Sequence, residues 1–212
     1  MTVQPRDGNV QHDIIIAGRG GQGVLTLGKL LARAGLLTGK QVTWFPSYGT
    51  EVRGGTANCH VKIGDGEIYS PLVEHPTALV VMNQLSYDRF RSQLAAEGWL
   101  LANSTMVTVG PEDEGRERSL AVAATETAGR LGHLVVANMV MLGALNRALG
   151  LLPEETIEHC LAEVLTGSKA SLLPINLQAL AAGAQAVAQR CGSSSPAGRP
   201  SGPVGYERTA AS

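Results

Sequence analysis

The stretch from 12 to 38 constrains this chain more than any other. The apolar run Ile14-Ile15-Ile16-Ala17 leads into Gly18-Arg19-Gly20-Gly21-Gln22-Gly23. Val24, Leu25, Leu27, Leu30, Leu31, Ala34 and Leu37 then recur at helical spacing. A short apolar run before a turn reads as a buried parallel strand, here over 12–17, and the spacing after it as an amphipathic helix over 22–38. Strand, glycine turn and helix in that order aim backbone N–H groups and a helix N-terminus at an anion, usually a phosphate or pyrophosphate. Gly18, Gly20 and Gly23 satisfy G-x-G-x-x-G. In that pattern Gly18 allows the sharp turn, Gly20 lets a ligand approach the backbone, and Gly23 lets helix and strand pack closely. Gly21 and Gln22 complete the turn, and Gln22 can add an amide contact. The alternative is a turn that packs helix on sheet and binds nothing.

Gly39 is placed to end the helix, and residues 41–45 read as a second strand that completes a β-α-β unit with a right-handed crossover. Residues 56–63 alternate, with Ala57, Cys59, Val61 and Ile63 on one face, as in a half-exposed strand. Gly64-Asp65-Gly66 suggests a hairpin turn into 67–70. Buried strands follow at 78–82 and 98–102, with a helix near 86–96 between them, and the charged stretch 111–118 reads as a surface loop. Helices are expected over 119–131, 135–149, 154–165 and 175–190, with Gly150 as a stop and Pro153-Glu154 as a start. The fold class is α/β: a mainly parallel, Rossmann-like sheet with an inserted β-hairpin, flanking helices and a helical C-terminal part. Residues 1–11 are expected to be flexible, 12–190 to form the domain, and 191–212, rich in Gly, Ser and Pro, to be a disordered tail.

A hydrophobic fraction of 44% supports a sizeable core, and aromatics at 4% leave Ala, Val, Leu and Gly to build it. The net charge of -1 gives no basic surface for nucleic acid and no cationic stretch for a membrane. No secretion signal opens the sequence, and the apolar runs are too short to span a bilayer. Cys59, Cys160 and Cys191 are an odd, widely spaced set. They form neither a disulfide framework nor a cluster-binding set of four thiolates, and they fit reduced thiols in the cytoplasm. A dinucleotide-binding domain would carry Asp or Glu at the end of the second strand for the ribose hydroxyls. Here that strand ends Phe45-Pro46-Ser47, which disfavours a nicotinamide enzyme.

A second glycine-bearing segment runs Ser47-Tyr48-Gly49-Thr50-Glu51-Val52-Arg53-Gly54-Gly55-Thr56-Ala57-Asn58. It follows a sheet strand, where ligands of open α/β sheets bind. Arg53 can grip a phosphate or carboxylate with its planar fork, or it can form an ion pair with Glu51 or Asp65. Together with Gly18–Gly23, Ser70-Pro71, Met82-Asn83-Gln84 and the later Ala137-Asn138-Met139-Val140-Met141-Leu142-Gly143-Ala144, this segment resembles the gamma subunit of 2-oxoacid:acceptor oxidoreductases, most closely the 2-oxoglutarate:ferredoxin type. The likeness covers residues 12–186.

The resemblance implies one subunit of an enzyme complex. Such complexes oxidatively decarboxylate a 2-oxoacid on thiamine diphosphate and pass the acyl group to coenzyme A. The electrons go to [4Fe-4S] clusters and then to ferredoxin or an NAD-linked acceptor. Alpha, beta and delta subunits are the implied partners. Thiamine diphosphate domains carry Gly-Asp-Gly and a downstream Asn for Mg2+. Gly64-Asp65-Gly66 is present, but the stretch from Ser92 reads Ser-Gln-Leu-Ala with no Asn, so thiamine diphosphate, Mg2+ and clusters are expected in partner chains. For this chain the resemblance implies contact with coenzyme A. The candidate cofactor-binding residues are Gly18, Gly20, Gly21, Gln22, Gly23, Ser47, Tyr48, Arg53, Gly54 and Asn83. Asn83 either faces the crevice or caps the next helix, and Asn103 and Ser104 share that ambiguity. Asn138, within a helix, is expected to bind backbone. No residue is assigned to catalysis, His60 and His75 included, and Cys59 is expected to be inert packing. Two alternatives stay open: a non-catalytic assembly subunit, and a free-standing NAD(P) oxidoreductase.

Overall fold

The computed structural model describes residues 10–47 and 56–193. A six-stranded sheet has the order β2-β3-β1-β4-β5-β6. Its strands are β1 (Gln11–Arg19), β2 (Gln41–Ser47), β3 (Thr56–Gly64), β4 (Ala78–Val81), β5 (Trp99–Asn103) and β6 (Ser119–Val122). β1, β4, β5 and β6 are parallel neighbours, whereas β3 runs antiparallel to both β1 and β2. β1 lies at the centre and is apolar on both faces, as a strand covered on both sides must be. Ile14 and Ile16 face one core, and Ile15 and Ala17 the other.

Helix α1 (Val24–Leu37) buries Val24, Leu27, Leu30, Leu31 and Ala34 along one stripe. It ends at Thr38, and Gly39 follows with φ 76°, the left-handed conformation that stops a helix at little cost. α2 (Gln84–Phe90) covers the opposite face and passes into a 3-10 turn over Arg91–Gln93. α3 (Ala124–Arg130), α4 (Ala137–Leu149), α5 (Glu154–Val164) and α6 (Leu173–Ser193) join the core on the α1 side. Gly150 closes α4 with φ 60°. Among the described residues, no helix is long and apolar enough to cross a membrane.

The fold class is as expected, with three corrections in its parts. The β1-α1-β2 unit is present with its two strands parallel, and β3 lies between them in the sheet. The hairpin is β2–β3: both edges of β3 are taken, by β1 and β2, and residues 67–70 form no strand. Residues 119–122 are strand, not helix start; the short run Ser119-Leu120-Ala121-Val122 fits either periodicity, and pairing with β5 decides it. The stretch 111–118 is not simply a surface loop, because Asp113 within it is 1% exposed. The flexible segment expected at 1–11 and the tail expected from 191 lie almost wholly outside the described residues, although α6 continues to Ser193.

Candidate functional site

The carboxyl ends of β1, β2, β4, β5 and β6 and the start of β3 share one edge of the sheet. β1 delivers the glycine turn there. Gln22 N–H donates to the Arg19 carbonyl at 3.1 Å, and Arg19 N–H donates to Gln22 Oε1 at 2.7 Å, so the turn is closed from both sides. Gly20 and Gly21 are exposed at its tip, and Gly21 has φ 92°. Gly23 is the N-cap of α1, with φ 71° and no side chain to cover the first-turn N–H groups. The first turn carries no acidic residue, and among the described residues nothing accepts from the amides of Gly20, Gly21 or Gly23. An uncapped helix start with free amides beside it is complementary to an anion.

The glycines do other work than the motif suggests. Gly18 remains in extended β1; a Cβ there would stand 2.9 Å from Met82 Cβ and 2.9 Å from Gln22 Oε1. It permits close packing, while the left-handed conformations fall at Gly21 and Gly23. A Cβ on Gly23 would collide with the Asn138 amide of α4, so this glycine makes room for a second helix instead of the strand. Asn138 Nδ2 donates to the Gly23 carbonyl at 3.2 Å, the backbone contact expected of it.

Amide side chains tie the turn to the neighbouring strand ends. Gln22 Nε2 donates to the Met82 carbonyl at 3.1 Å, and Asn83 Nδ2 donates to Gln22 Oε1 at 3.0 Å. Asn83 Oδ1 caps α2 by accepting from Ser86 N–H at 2.9 Å. Asn103 is 0% exposed; it donates to Thr125 Oγ1 at 2.8 Å and to the Met82 carbonyl at 3.4 Å. Of the sequence candidates, the structure thus gathers Gly18, Gly20, Gly21, Gln22, Gly23 and Asn83 in one place. Ser47 ends β2 opposite Asn58, which lies opposite Ala17. It therefore stands two strands from β1 on the same edge, about 10 Å away. Tyr48, Arg53 and Gly54 lie outside the described residues.

Thr125 and the buried Asp113 were missed by sequence reasoning: 119–131 reads as one helix and 111–118 as a surface loop, so neither position carried a signal. His60 accepts at Nδ1 from Val73 N–H at 2.9 Å. Burial first, then the Lys62 charge, holds its pKa below the usual imidazole value. Cys59 is buried under α1, and Asp65 pairs with Lys40 at 2.5 Å. Among the described residues, no three His, Cys, Asp or Glu side chains cluster to hold a metal ion.

Comparison with known proteins adds the following. Residues 13–186 match the family described as pyruvate ferredoxin/flavodoxin oxidoreductase. The ketoisovalerate oxidoreductase subunit VorA of Methanothermobacter thermautotrophicus is 41% identical over 172 residues, covering 80% of this chain and 35% of that subunit. This chain therefore spans about a third of the VorA length. The 2-oxoglutarate synthase subunit KorC of Archaeoglobus fulgidus is 36% identical over 152 residues, covering 71% of this chain and 75% of KorC. Among solved structures, the keto/oxoacid ferredoxin oxidoreductase gamma subunit of Geobacter sulfurreducens superposes with a TM-score of 0.72 at 28% identity, covering 84% of this chain and 99% of that one. The chain belongs to the pyruvate ferredoxin/flavodoxin oxidoreductase family and has the fold of its gamma subunits.

Proposed function

We propose that this chain is the gamma-type unit of a multi-subunit 2-oxoacid:ferredoxin oxidoreductase, and that its glycine turn receives an anionic phosphate of coenzyme A. One observation carries the ligand assignment: among the described residues the amides of Gly20, Gly21 and Gly23 have no acceptor, and they adjoin the uncapped start of α1 at the carboxyl edge of the sheet. Ser47 is brought to the same edge by β2, and the motif resemblance assigns Tyr48, Arg53 and Gly54 to coenzyme A contact with it. Decarboxylation and electron transfer belong to thiamine diphosphate, Mg2+ and [4Fe-4S] clusters held by alpha, beta and delta partners, in keeping with a sequence of three cysteines and no metal-ligand cluster among the described residues. The part of this chain is to orient the acyl acceptor and exclude water. A nicotinamide cofactor fits poorly: besides lacking an acid at its end, β2 is separated from β1 by β3, so its end is moved away from the turn.

The motif resemblance favours 2-oxoglutarate as substrate, while the higher identity to VorA favours a branched-chain 2-oxoacid. A panel of 2-oxoacids offered to the native complex, with ferredoxin or NAD as acceptor, separates these. Coenzyme A contact is tested by Gly20→Val in the reconstituted complex. The KM for coenzyme A should rise about ten-fold, the loss expected for a hydrogen bond to a charged group; an unchanged KM would refute the assignment. A rival role in assembly alone draws support from Gln22 and Asn83, whose amides are engaged internally. It predicts a lower yield of complex from Gly20→Val, with normal coenzyme A kinetics in whatever assembles.

A further inference from the structure

Met82 and Asn83 form the joint between β4 and α2, and side chains engage it from two directions. Gln22 Nε2 and Asn103 Nδ2 donate to the same Met82 carbonyl. Asn83 Oδ1 is committed to Ser86 N–H, so its Nδ2 must face outward, and it meets Gln22 Oε1. That same oxygen accepts from Arg19 N–H across the glycine turn. Each amide orientation is dictated by the next: Ser86 orients Asn83, Asn83 and the Met82 carbonyl orient Gln22, and Gln22 closes the turn. Among the described residues, Asn83 reaches the turn through Gln22.

We propose that Asn83 is a positioning residue: its side-chain amide locks Gln22, and Gln22 holds the Gly20 and Gly21 amides at the spacing an anionic group needs. This rests on the assignment of the turn as a coenzyme A phosphate site. Asn83→Ser separates the two functions of the residue. Serine retains the N-cap of α2 but is too short to reach Gln22. Asn83→Asp also retains the cap, and sets an oxygen against Gln22 Oε1.

Both variants are assembled into the whole complex alongside Gly20→Val. Asn83→Ser should raise the KM for coenzyme A about five-fold, as loss of one neutral hydrogen bond would. The kcat at saturating coenzyme A and the Tm should stay unchanged, and the Arg19 and Gln22 amides, whose hydrogen bonds close the turn, should exchange hydrogen faster. Asn83→Asp should do the same or more. If Gly20→Val raises the KM while neither Asn83 variant alters KM or exchange, the positioning role is overturned and the ligand assignment stands. If Gly20→Val leaves the KM unchanged, the ligand assignment fails. Exchange then decides the positioning role: faster exchange at Arg19 and Gln22 in Asn83→Ser supports it, and unchanged exchange overturns it. A fall in Tm with faster exchange throughout α2 in both variants would assign Asn83 to capping alone and also overturn the proposal.

Discussion

Cys59 sits between β3 and α1 with 0% exposure, and its Sγ lies 3.6 Å from the Val24 carbonyl. Burial pushes the thiol up to about 12, although the nearby Trp44 indole and Gly28 backbone act to lower it. A Cβ on Gly28 would run into Cys59 Sγ and stand 3.1 Å from Trp44 Nε1, so the glycine is what lets α1 settle over this pair. Only the thiolate is a good nucleophile. The native chain treated with iodoacetamide at pH 8 should therefore yield an unmodified Cys59 peptide by mass mapping. Labelling as fast as in the unfolded chain would show that the site opens. Inert packing was legible for Cys59 from strand alternation alone. The duties of the turn glycines were not. Gly23 is constrained by Asn138, 115 residues away, and no local pattern links the two.

At the scale of elements, α4 and α6 cross by exchanging glycines. A Cβ on Gly143 would collide with the Leu180 carbonyl, and one on Gly183 with the Val140 carbonyl. Each helix thus lays backbone directly on the other. Gly143→Ala or Gly183→Ala should destabilise the chain by about 1–3 kcal/mol, the cost of overpacking, despite the better helix propensity of alanine. Gly129→Ala in α3 is the control: its nearest neighbour would be Leu134 Cδ2 at 3.5 Å, an ordinary contact. That change should be neutral or stabilise by roughly 0.5–1 kcal/mol. Urea unfolding of the three variants checks the opposite signs. The helices themselves could be read beforehand, because Gly39, Gly150 and Pro153 punctuate periodic runs. β6 could not, since four residues carry too little periodicity to separate strand from helix.

Across the whole molecule, the loop between β5 and β6 is tied to α2 by a buried carboxylate. Asp113 Oδ2 accepts from Tyr87 Oη at 2.7 Å and from Arg91 Nε, and its Oδ1 accepts from Arg91 Nη2 at 2.6 Å. Gly110 N–H donates to Tyr87 Oη at 2.8 Å, which pins the loop a second time. Burial alone would raise the Asp113 pKa. The hydrogen bonds from Arg91 and Tyr87, with the charges of Arg91 and Arg116, outweigh it and hold the carboxyl below its usual range. A carboxylate with a depressed folded pKa contributes its full stability above the unfolded value, about 4. That contribution declines as pH falls through the folded value. Asp113→Asn should cost about 3 kcal/mol at pH 7, because it leaves Arg91 without its counter-charge. The gap from the parent should narrow in urea titrations at pH 3; a constant gap would contradict the clasp. On this scale the division of information is clear. Local pattern determined the α/β class, the glycine turn at the start of α1 and the run of C-terminal helices, because turn chemistry and apolar spacing are encoded within a few residues. The tertiary structure alone decided that β3 slips between β1 and β2, that 119–122 joins the sheet, and that Gln22 and Asn103 meet at the Met82 carbonyl while Asn83 meets Gln22. Those outcomes depend on which strand edges and amide groups find partners far along the chain, and a sequence window cannot weigh that competition.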